Sequence, residues 1–229
     1  MLFDTDQFVV SRMAEGDRLP TDTTALIIID MINRFCDPHW WGDDDMQFNL
    51  PEPYGSNHRI AYFTAELPKV ITNIKTTLEA FRGAGALVVH VSIGKWTTDG
   101  REMVPYMRGR DYDFVDSEPM SVIQPLTPIP GEILIRKSTS SAFTGTGLDY
   151  LLRNAGVEHV VLCGQFGNGC VFYTLIESRE YGYQNYWVED AILYQGQPFQ
   201  DLMPPLIGSR WARLATARQI AAGFGDSRV

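Results

Sequence analysis

The chain has 229 residues, enough to bury a sizeable core as one domain, and its 45% hydrophobic and 21% charged residues are typical of an ordinary globular protein. Its formal net charge of −9 argues against a protein that binds the backbone of a nucleic acid, because such proteins cluster lysine and arginine. We therefore expect a small-molecule partner and no nucleic acid.

The first twenty residues carry acids where a secretory signal would need a basic start and a long apolar stretch, and no later apolar run approaches membrane-spanning length. We therefore expect a cytoplasmic protein without a membrane partner. The three cysteines, Cys36, Cys163 and Cys170, match neither a disulfide framework nor a CxxC metal clip, so reduced thiols are expected. The four histidines lack paired-ligand spacing, so we expect no metal and no other cofactor.

Apolar strands alternate with helices along the chain. The first strand, "TALIIIDM", ends at Asp30, and a helix follows from Ser56 to about Arg82, with Gly83 as its stop. A long functional loop with little periodicity is predicted from about 94 to 130. The further predicted strands are 85–93, 132–137, 158–164 and 184–191, and the further helices are 145–156, one that begins at Cys170, and a last one over 210–224. This alternation predicts a parallel sheet with helices on both faces.

Three polar residues stand at the carboxyl ends of predicted strands or just beyond one. Asp30 ends the first strand, Lys137 ends the third, and Cys170 follows the fourth after a glycine-rich loop. Ligands of open parallel sheets bind at this edge. A thiol at a helix N-terminus beside an ammonium is expected to have a lowered pKa and to act as a nucleophile, with Asp30 moving the proton.

Each of these residues also has a structural interpretation. Cys170 alone is more often a small buried residue, Asp30 a turn carboxylate, and Lys137 a solvated strand end. The loop "GQFGNG" can also be interpreted as a phosphate-binding turn, although it matches neither GxGxxG nor the GK[ST] ending. The joint occurrence of an acid, a cation and a thiol favours catalysis.

Three motifs carry a resemblance to a known family. They are "ALIIIDMINRFCDP", "KSTSSAFTGTGLDYLLRNAGVEHVVLCG" and "GQFGNGCVFYTLIESREYGY". In this order and spacing they resemble the isochorismatase-like cysteine hydrolase superfamily, in particular its N-carbamoylsarcosine and ureido amidohydrolase branch. The resemblance implies a three-layer α/β/α fold with a mostly parallel sheet of about six strands. It implies one domain over 1–229, with an N-terminal extension over 1–22 and a loop insertion over about 94–130.

The resemblance also implies site residues. The family's catalytic triad corresponds to Asp30, Lys137 and Cys170, and its oxyanion hole to the backbone N–H groups of Phe166 and Cys170. A cis peptide between Gln165 and Phe166 is expected. The chain has Gly167 where the family commonly has threonine, and Asn168 is expected to compensate.

The interval between the first two strands holds "HWWGDDD" and lacks the Asp and His metal cluster of nicotinamidases. Nicotinamidase activity and a bound zinc are therefore disfavoured. Aromatic side chains on loops around the crevice suit a compact planar substrate, although core or subunit-interface packing explains them equally well. The substrate-binding candidates are Phe35, Trp40, Trp41, Trp96, Phe143 and Asn168.

We expect a metal-independent cysteine amidohydrolase that cleaves a C–N bond of a small carboxamide or ureido (N-carbamoyl) compound through a thioester. The alternatives are isochorismatase-type vinyl-ether hydrolysis and a non-catalytic binding protein on the same fold. The resemblance also implies a homodimer or homotetramer.

Overall fold

A computed structural model describes residues 9–40, 56–110 and 112–224. Six strands form one parallel sheet in the order β3-β2-β1-β4-β5-β6. The strands are β1 (Thr24–Ile29), β2 (Leu87–Ile93), β3 (Ile133–Lys137), β4 (His159–Gln165), β5 (Gln184–Leu193) and β6 (Arg213–Ala215). The predicted three-layer α/β/α class is confirmed, and every strand pair is parallel.

Helices connect the strands and cover both faces of the sheet. They are α1 (Asn33–Cys36), α2 (Ser56–Ala84), α3 (Leu148–Asn154), α4 (Cys170–Glu180), α5 (Gln197–Gly208) and α6 (Ala217–Gly223). Helices α2 and α6 pack against each other, whereas Tyr183, just after α4, donates a hydrogen bond to Asp149 of α3 at 2.8 Å. The central strand β1 is buried along its whole length, as its continuous apolar sequence predicts.

Two helix predictions need correction. Gly83 lies inside α2, which ends at Ala84, and the residue with positive φ that follows the helix is Gly85 at +71°. The predicted terminal helix over 210–224 is wrong in its first half, because β6 occupies Arg213–Ala215 and only Ala217–Gly223 is helical. The helix α5 was not predicted, since Pro204 and Pro205 interrupt its sequence.

The segment 94–130 contains two short 3-10 helices, Pro105–Met107 and Gln124–Leu126. Its buried methionines form a second apolar cluster with residues at the ends of β1 and β2. The cluster comprises Ile32, Ile93, Met103, Met107 and Met120. Within the described ranges, no helix is both long and apolar enough to span a membrane.

Candidate active site

The three polar strand-end residues meet at one point. Lys137 Nζ lies 2.8 Å from Asp30 Oδ2 and 3.3 Å from Cys170 Sγ, and it donates its third hydrogen bond to the Thr139 carbonyl at 3.0 Å. The sheet order explains the meeting, because β1, β2 and β3 are neighbours and β4 lies on the other side of β1. The convergence predicted from the strand ends is therefore observed.

Burial controls the electrostatics of this group. Asp30 and Lys137 are each only 1% exposed, whereas Cys170 is partly exposed. Burial raises the pKa of the Asp30 carboxyl, and the charge of Lys137 opposes this rise. Burial alone would lower the pKa of Lys137, but the negative charges of Asp30 and Cys170 outweigh it and the pKa is raised. Lys137 is therefore the permanent cation of the site.

The predicted lowering of the Cys170 pKa is wrong. Burial raises the pKa of this thiol to about 12, with Lys137 opposing the rise and Asp30 adding to it. The single ammonium already balances the Asp30 carboxylate, so a thiolate would add an uncompensated buried charge. Cys170 therefore rests as a thiol and must lose its proton when it attacks.

The loop before Cys170 presents unused backbone donors. The peptide between Gln165 and Phe166 is cis, as expected. The Phe166 carbonyl accepts hydrogen bonds from the N–H groups of Gly169 at 2.8 Å and Val171 at 3.2 Å, which folds the loop onto the start of α4. Among the described residues, the N–H groups of Phe166 and Cys170 have no acceptor. Two donors are thus available beside the thiol for a developing oxyanion.

Asn168 holds this loop in place rather than facing the crevice. Its Nδ2 donates to Gln195 Oε1 at 2.8 Å, and its Oδ1 accepts from the Gln195 N–H at 3.0 Å. Both ends of the Asn168 amide are thereby committed to the segment that follows β5. This pairing supplies the side-chain anchor that Gly167 cannot provide.

The aromatic candidates are distributed over several places. The Phe35 ring lies 5.5 Å from the ring of Phe166, which belongs to the loop before Cys170. Trp40 is partly buried, and its ring stands nearly perpendicular to the His39 ring. Trp96 is 54% exposed on the segment 94–130. Trp41 lies outside the described residues.

Phe143 is not brought to the crevice. It is buried against the rings of Tyr181 and Tyr183, with centroid distances of 5.4 and 5.9 Å. These tyrosines follow the last turn of α4, at the opposite end of the helix from Cys170. Core packing, the alternative interpretation from the sequence, therefore describes Phe143.

Tyr112 is a site residue that the sequence did not reveal. It packs against the cluster of Ile32, Ile93 and three methionines on the segment 94–130. Burial raises the pKa of its phenol, and the charges of Cys170 and Asp30 add to the rise while Lys137 opposes it. The pKa of this phenol therefore depends on the charges of the three strand-end residues. A single tyrosine in an aperiodic segment carries no local pattern from which this position follows.

A second contact holds the segment 94–130 over the same edge. The hydroxyl of Tyr106 is hydrogen-bonded to Ser140, which lies in the loop after β3. No group of three or more His, Cys, Asp or Glu side chains arranged to hold a metal ion occurs in the ranges that the structure covers.

Known proteins are similar to this chain in sequence and in fold. The family model described as the isochorismatase domain matches residues 24–201. The ureidoacrylate amidohydrolase RutB of Caulobacter vibrioides is 28% identical over 213 residues, which cover 81% of this chain and 84% of that protein. RutB of Cronobacter sakazakii is 28% identical over 204 residues, 78% of each chain.

Solved structures show the same fold. A cysteine hydrolase from Pseudomonas syringae pv. phaseolicola superposes with a TM-score of 0.75 at 19% identity, covering 95% of this chain and 98% of that one. N-carbamoylsarcosine amidase from Thermoplasma acidophilum superposes with a TM-score of 0.64 at 24% identity, covering 85% and 96%. With the family model matched over most of its length, the chain belongs to the isochorismatase family.

Proposed function

We propose that the protein is a cysteine amidohydrolase that cleaves a C–N bond in a small carboxamide or ureido compound. The observation that carries the proposal is the contact of Lys137 Nζ with both Asp30 Oδ2 and Cys170 Sγ, beside the unused N–H groups of Phe166 and Cys170. The similarity to RutB and to N-carbamoylsarcosine amidase supports ureido or N-carbamoyl substrates.

The first half-reaction forms a thioester. Asp30 takes the proton of the Cys170 thiol as the sulfur attacks the substrate carbonyl carbon. The carbonyl oxygen gains the negative charge, and the N–H groups of Phe166 and Cys170 stabilise it. When the C–N bond breaks, Asp30 returns its proton to the departing nitrogen, which leaves as ammonia or an amine.

The second half-reaction regenerates the thiol. Asp30 removes a proton from a water molecule that attacks the thioester, and the proton returns to the Cys170 sulfur as the C–S bond breaks. Lys137 stays positively charged throughout and holds the carboxylate in place. Asp30 carries each transferred proton, and Lys137 and the two backbone N–H groups supply the stabilising charge in this scheme, so we propose a reaction without a metal ion.

The test measures ammonia release across a panel of carboxamides, N-carbamoyl amino acids and ureido compounds. Cys170→Ala should lower kcat on the accepted substrate by about 10³-fold or more while the far-UV circular dichroism stays unchanged. Cys163→Ala is the matched control, because Cys163 is buried within β4 and should leave the rate unchanged. Full activity in Cys170→Ala, or no turnover of any amide by the wild type, refutes the proposal.

We also propose that the protein works in the cytoplasm as a homodimer or homotetramer built from single-domain subunits. Exposed aromatic side chains on helices support a subunit contact, since Tyr150 of α3 is 70% exposed and Tyr173 of α4 is 54% exposed. Light scattering coupled to size exclusion measures the assembly, and a monomer at micromolar concentration contradicts this part.

A further inference from the structure

Gln165 carries a buried amide beneath the triad. It is the last residue of β4, and its side chain is fully buried. Its Nε2 donates to the Asp30 carbonyl oxygen at 2.9 Å and to Cys36 Sγ at 3.2 Å. Because a carbonyl oxygen only accepts, the contact with Asp30 determines which end of the amide faces that residue.

The other end of the amide has no such bond. Oε1 of Gln165 is buried and makes no hydrogen bond to a described residue. An unpaired buried amide oxygen costs stability, and strands buried on both faces usually carry aliphatic side chains. The donor end is therefore the part of the amide that contacts the site, through the Asp30 carbonyl and Cys36 Sγ.

The donor end holds an unusual backbone conformation. Asp30 has a φ of +53°, and it is the single non-glycine residue in the described ranges with a positive φ. Its N–H donates to the Val91 carbonyl of β2 at 2.9 Å, and its carbonyl accepts from Gln165 of β4. The two strands that flank β1 thus each make one hydrogen bond to the Asp30 backbone, β2 to its N–H group and β4 to its carbonyl oxygen.

This conformation directs the Asp30 carboxylate. A left-handed residue projects its side chain in a different direction from an extended one, and here Oδ2 meets Lys137 while Oδ1 stays without a hydrogen bond to a described residue. The backbone of Gln165 continues directly into Phe166, whose N–H is a proposed oxyanion donor. One residue therefore joins the proton-transfer group to the oxyanion hole.

We propose that Gln165 is a positioning residue that keeps Asp30 in the left-handed conformation needed for proton exchange with Cys170. The inference rests on the proposed function only in taking Asp30 as the base for this thiol. Loss of the amide donor frees the Asp30 carbonyl, and the residue can relax to a negative φ that turns its carboxylate away from the sulfur.

Two variants distinguish the loss of the Gln165 hydrogen-bond donor from a change in side-chain packing. Gln165→Met keeps the length of the side chain and removes the donor. Gln165→Glu keeps the shape and donates only when protonated, and burial raises the pKa of a carboxyl group so that it stays protonated around neutral pH. The titratable residues in contact with this side chain are Asp30, through its carbonyl, and Cys36. Burial raises the pKa of the Cys36 thiol to about 12, so this thiol does not ionise in the range tested.

The main readout is the rate at which iodoacetamide alkylates Cys170, followed by peptide mass spectrometry from pH 5 to 9. We expect Gln165→Met to react about tenfold or more slowly than the wild type at every pH, because a displaced base no longer accepts the proton. Gln165→Glu should react like the wild type at low pH and slow down as the pH rises and its carboxyl ionises. Ser178→Ala is the matched control, since it removes another buried side-chain bond, that to Asn185 at 2.7 Å, and should react at the wild-type rate.

Either of two results overturns the proposal. One is a folded Gln165→Met variant that is alkylated at the wild-type rate, and the other is an equal slowing in Ser178→Ala. If Gln165→Met does not fold, the Gln165→Glu variant provides the test. A Cys170 alkylation rate in Gln165→Glu with the same pH dependence as in the wild type contradicts the positioning role of Gln165. The alkylation rate needs no substrate, so a failure of the amidohydrolase proposal appears separately, as absence of ammonia release from the wild type.

Discussion

At the scale of single residues, Gly167 shows why this chain departs from its family. A Cβ atom at Gly167 would stand 2.3 Å from the ring of Tyr194 and 2.7 Å from the Ile192 side chain. Tyr194 is fully buried, and its hydroxyl accepts a hydrogen bond from Trp187 Nε1 at 3.0 Å. The Tyr194 ring thus occupies the space that a side chain at residue 167 would need, so even a Cβ atom there would force Tyr194 or Ile192 to shift.

We therefore expect Gly167→Ala to lower the free energy of unfolding by about 1–3 kcal/mol, the usual cost of overpacking a core. Urea denaturation measures it. Adding Tyr194→Leu to Gly167→Ala should recover part of the loss, because the two sites share one volume. Gly83→Ala is the control, since Gly83 lies inside α2 with open space at its Cβ position, and it should be neutral or stabilising by up to about 1 kcal/mol. Additive effects of the two substitutions would contradict this account of the loop.

At the scale of elements, a buried ion cluster attaches α2 to the sheet. Glu132, just before β3, accepts hydrogen bonds from Arg82 Nε at 2.7 Å and Nη2 at 2.9 Å. His90 of β2 contacts the same carboxylate at 2.9 Å. Burial alone would raise the pKa of Glu132, but its hydrogen bonds, those from Arg82 foremost, outweigh burial and lower the pKa to about 2. The last turn of α2 is thereby joined to two strands.

This lowered pKa gives a defined pH dependence. Unfolded Glu132 takes up its proton near pH 4.3, whereas the folded protein resists protonation down to about pH 2. The stabilisation is therefore fully present above about pH 4.3 and is lost as the pH falls toward 2. Glu132→Gln should cost about 1–3 kcal/mol at pH 7, and this difference from the wild type should fall by about half at pH 3.

Urea unfolding of both proteins at pH 7 and pH 3 measures this prediction. Glu66→Gln is the control, because Glu66 pairs with Lys69 at the surface of α2 and should cost less than about 1 kcal/mol at either pH. A Glu132→Gln penalty that is the same at both pH values would show that shape, and not charge, joins α2 to the sheet.

At the scale of the whole molecule, the N-terminal segment belongs to the fold. Ser11 and Met13 exchange backbone hydrogen bonds with Leu214 of β6, and Arg12 forms a parallel bridge with Leu214. Met13 is 3% exposed, and Leu19 also lies in the main core. The segment therefore covers the outer edge of β6, which spans only three residues.

Met13→Ala should lower the free energy of unfolding by about 2–5 kcal/mol, the range found when a buried long side chain is truncated. Val9→Ala lies in the same segment but at a position that is 91% exposed, so it should stay within about 0.5 kcal/mol of the wild type. Thermal or urea unfolding compares the two. Equal, small effects would show that residues before β1 add nothing to the stability of the sheet.

Features that depend on local pattern follow from the amino-acid sequence alone. Continuous apolar runs predicted the first five strands and their parallel pairing, and polar residues at strand ends predicted that Asp30, Lys137 and Cys170 would meet. These inferences succeed because strand direction and strand ends are encoded within short stretches of chain. The cis peptide between Gln165 and Phe166, which the resemblance to the family implies, is also confirmed.

Features that depend on distant neighbours follow only from the folded arrangement. Burial raises the pKa of Cys170, and burial cannot be predicted from the neighbouring residue types. The helix terminus and the ammonium, taken alone, predict a lowered pKa. Asn168 pairs with Gln195, and Tyr112 packs against Ile32 and Ile93, so both contacts join residues far apart in the chain. The short strand β6 forms only beside its partner β5. Burial and pairing are properties of the assembled fold, so the sequence pattern identified the reacting groups while packing determined their charges and orientation.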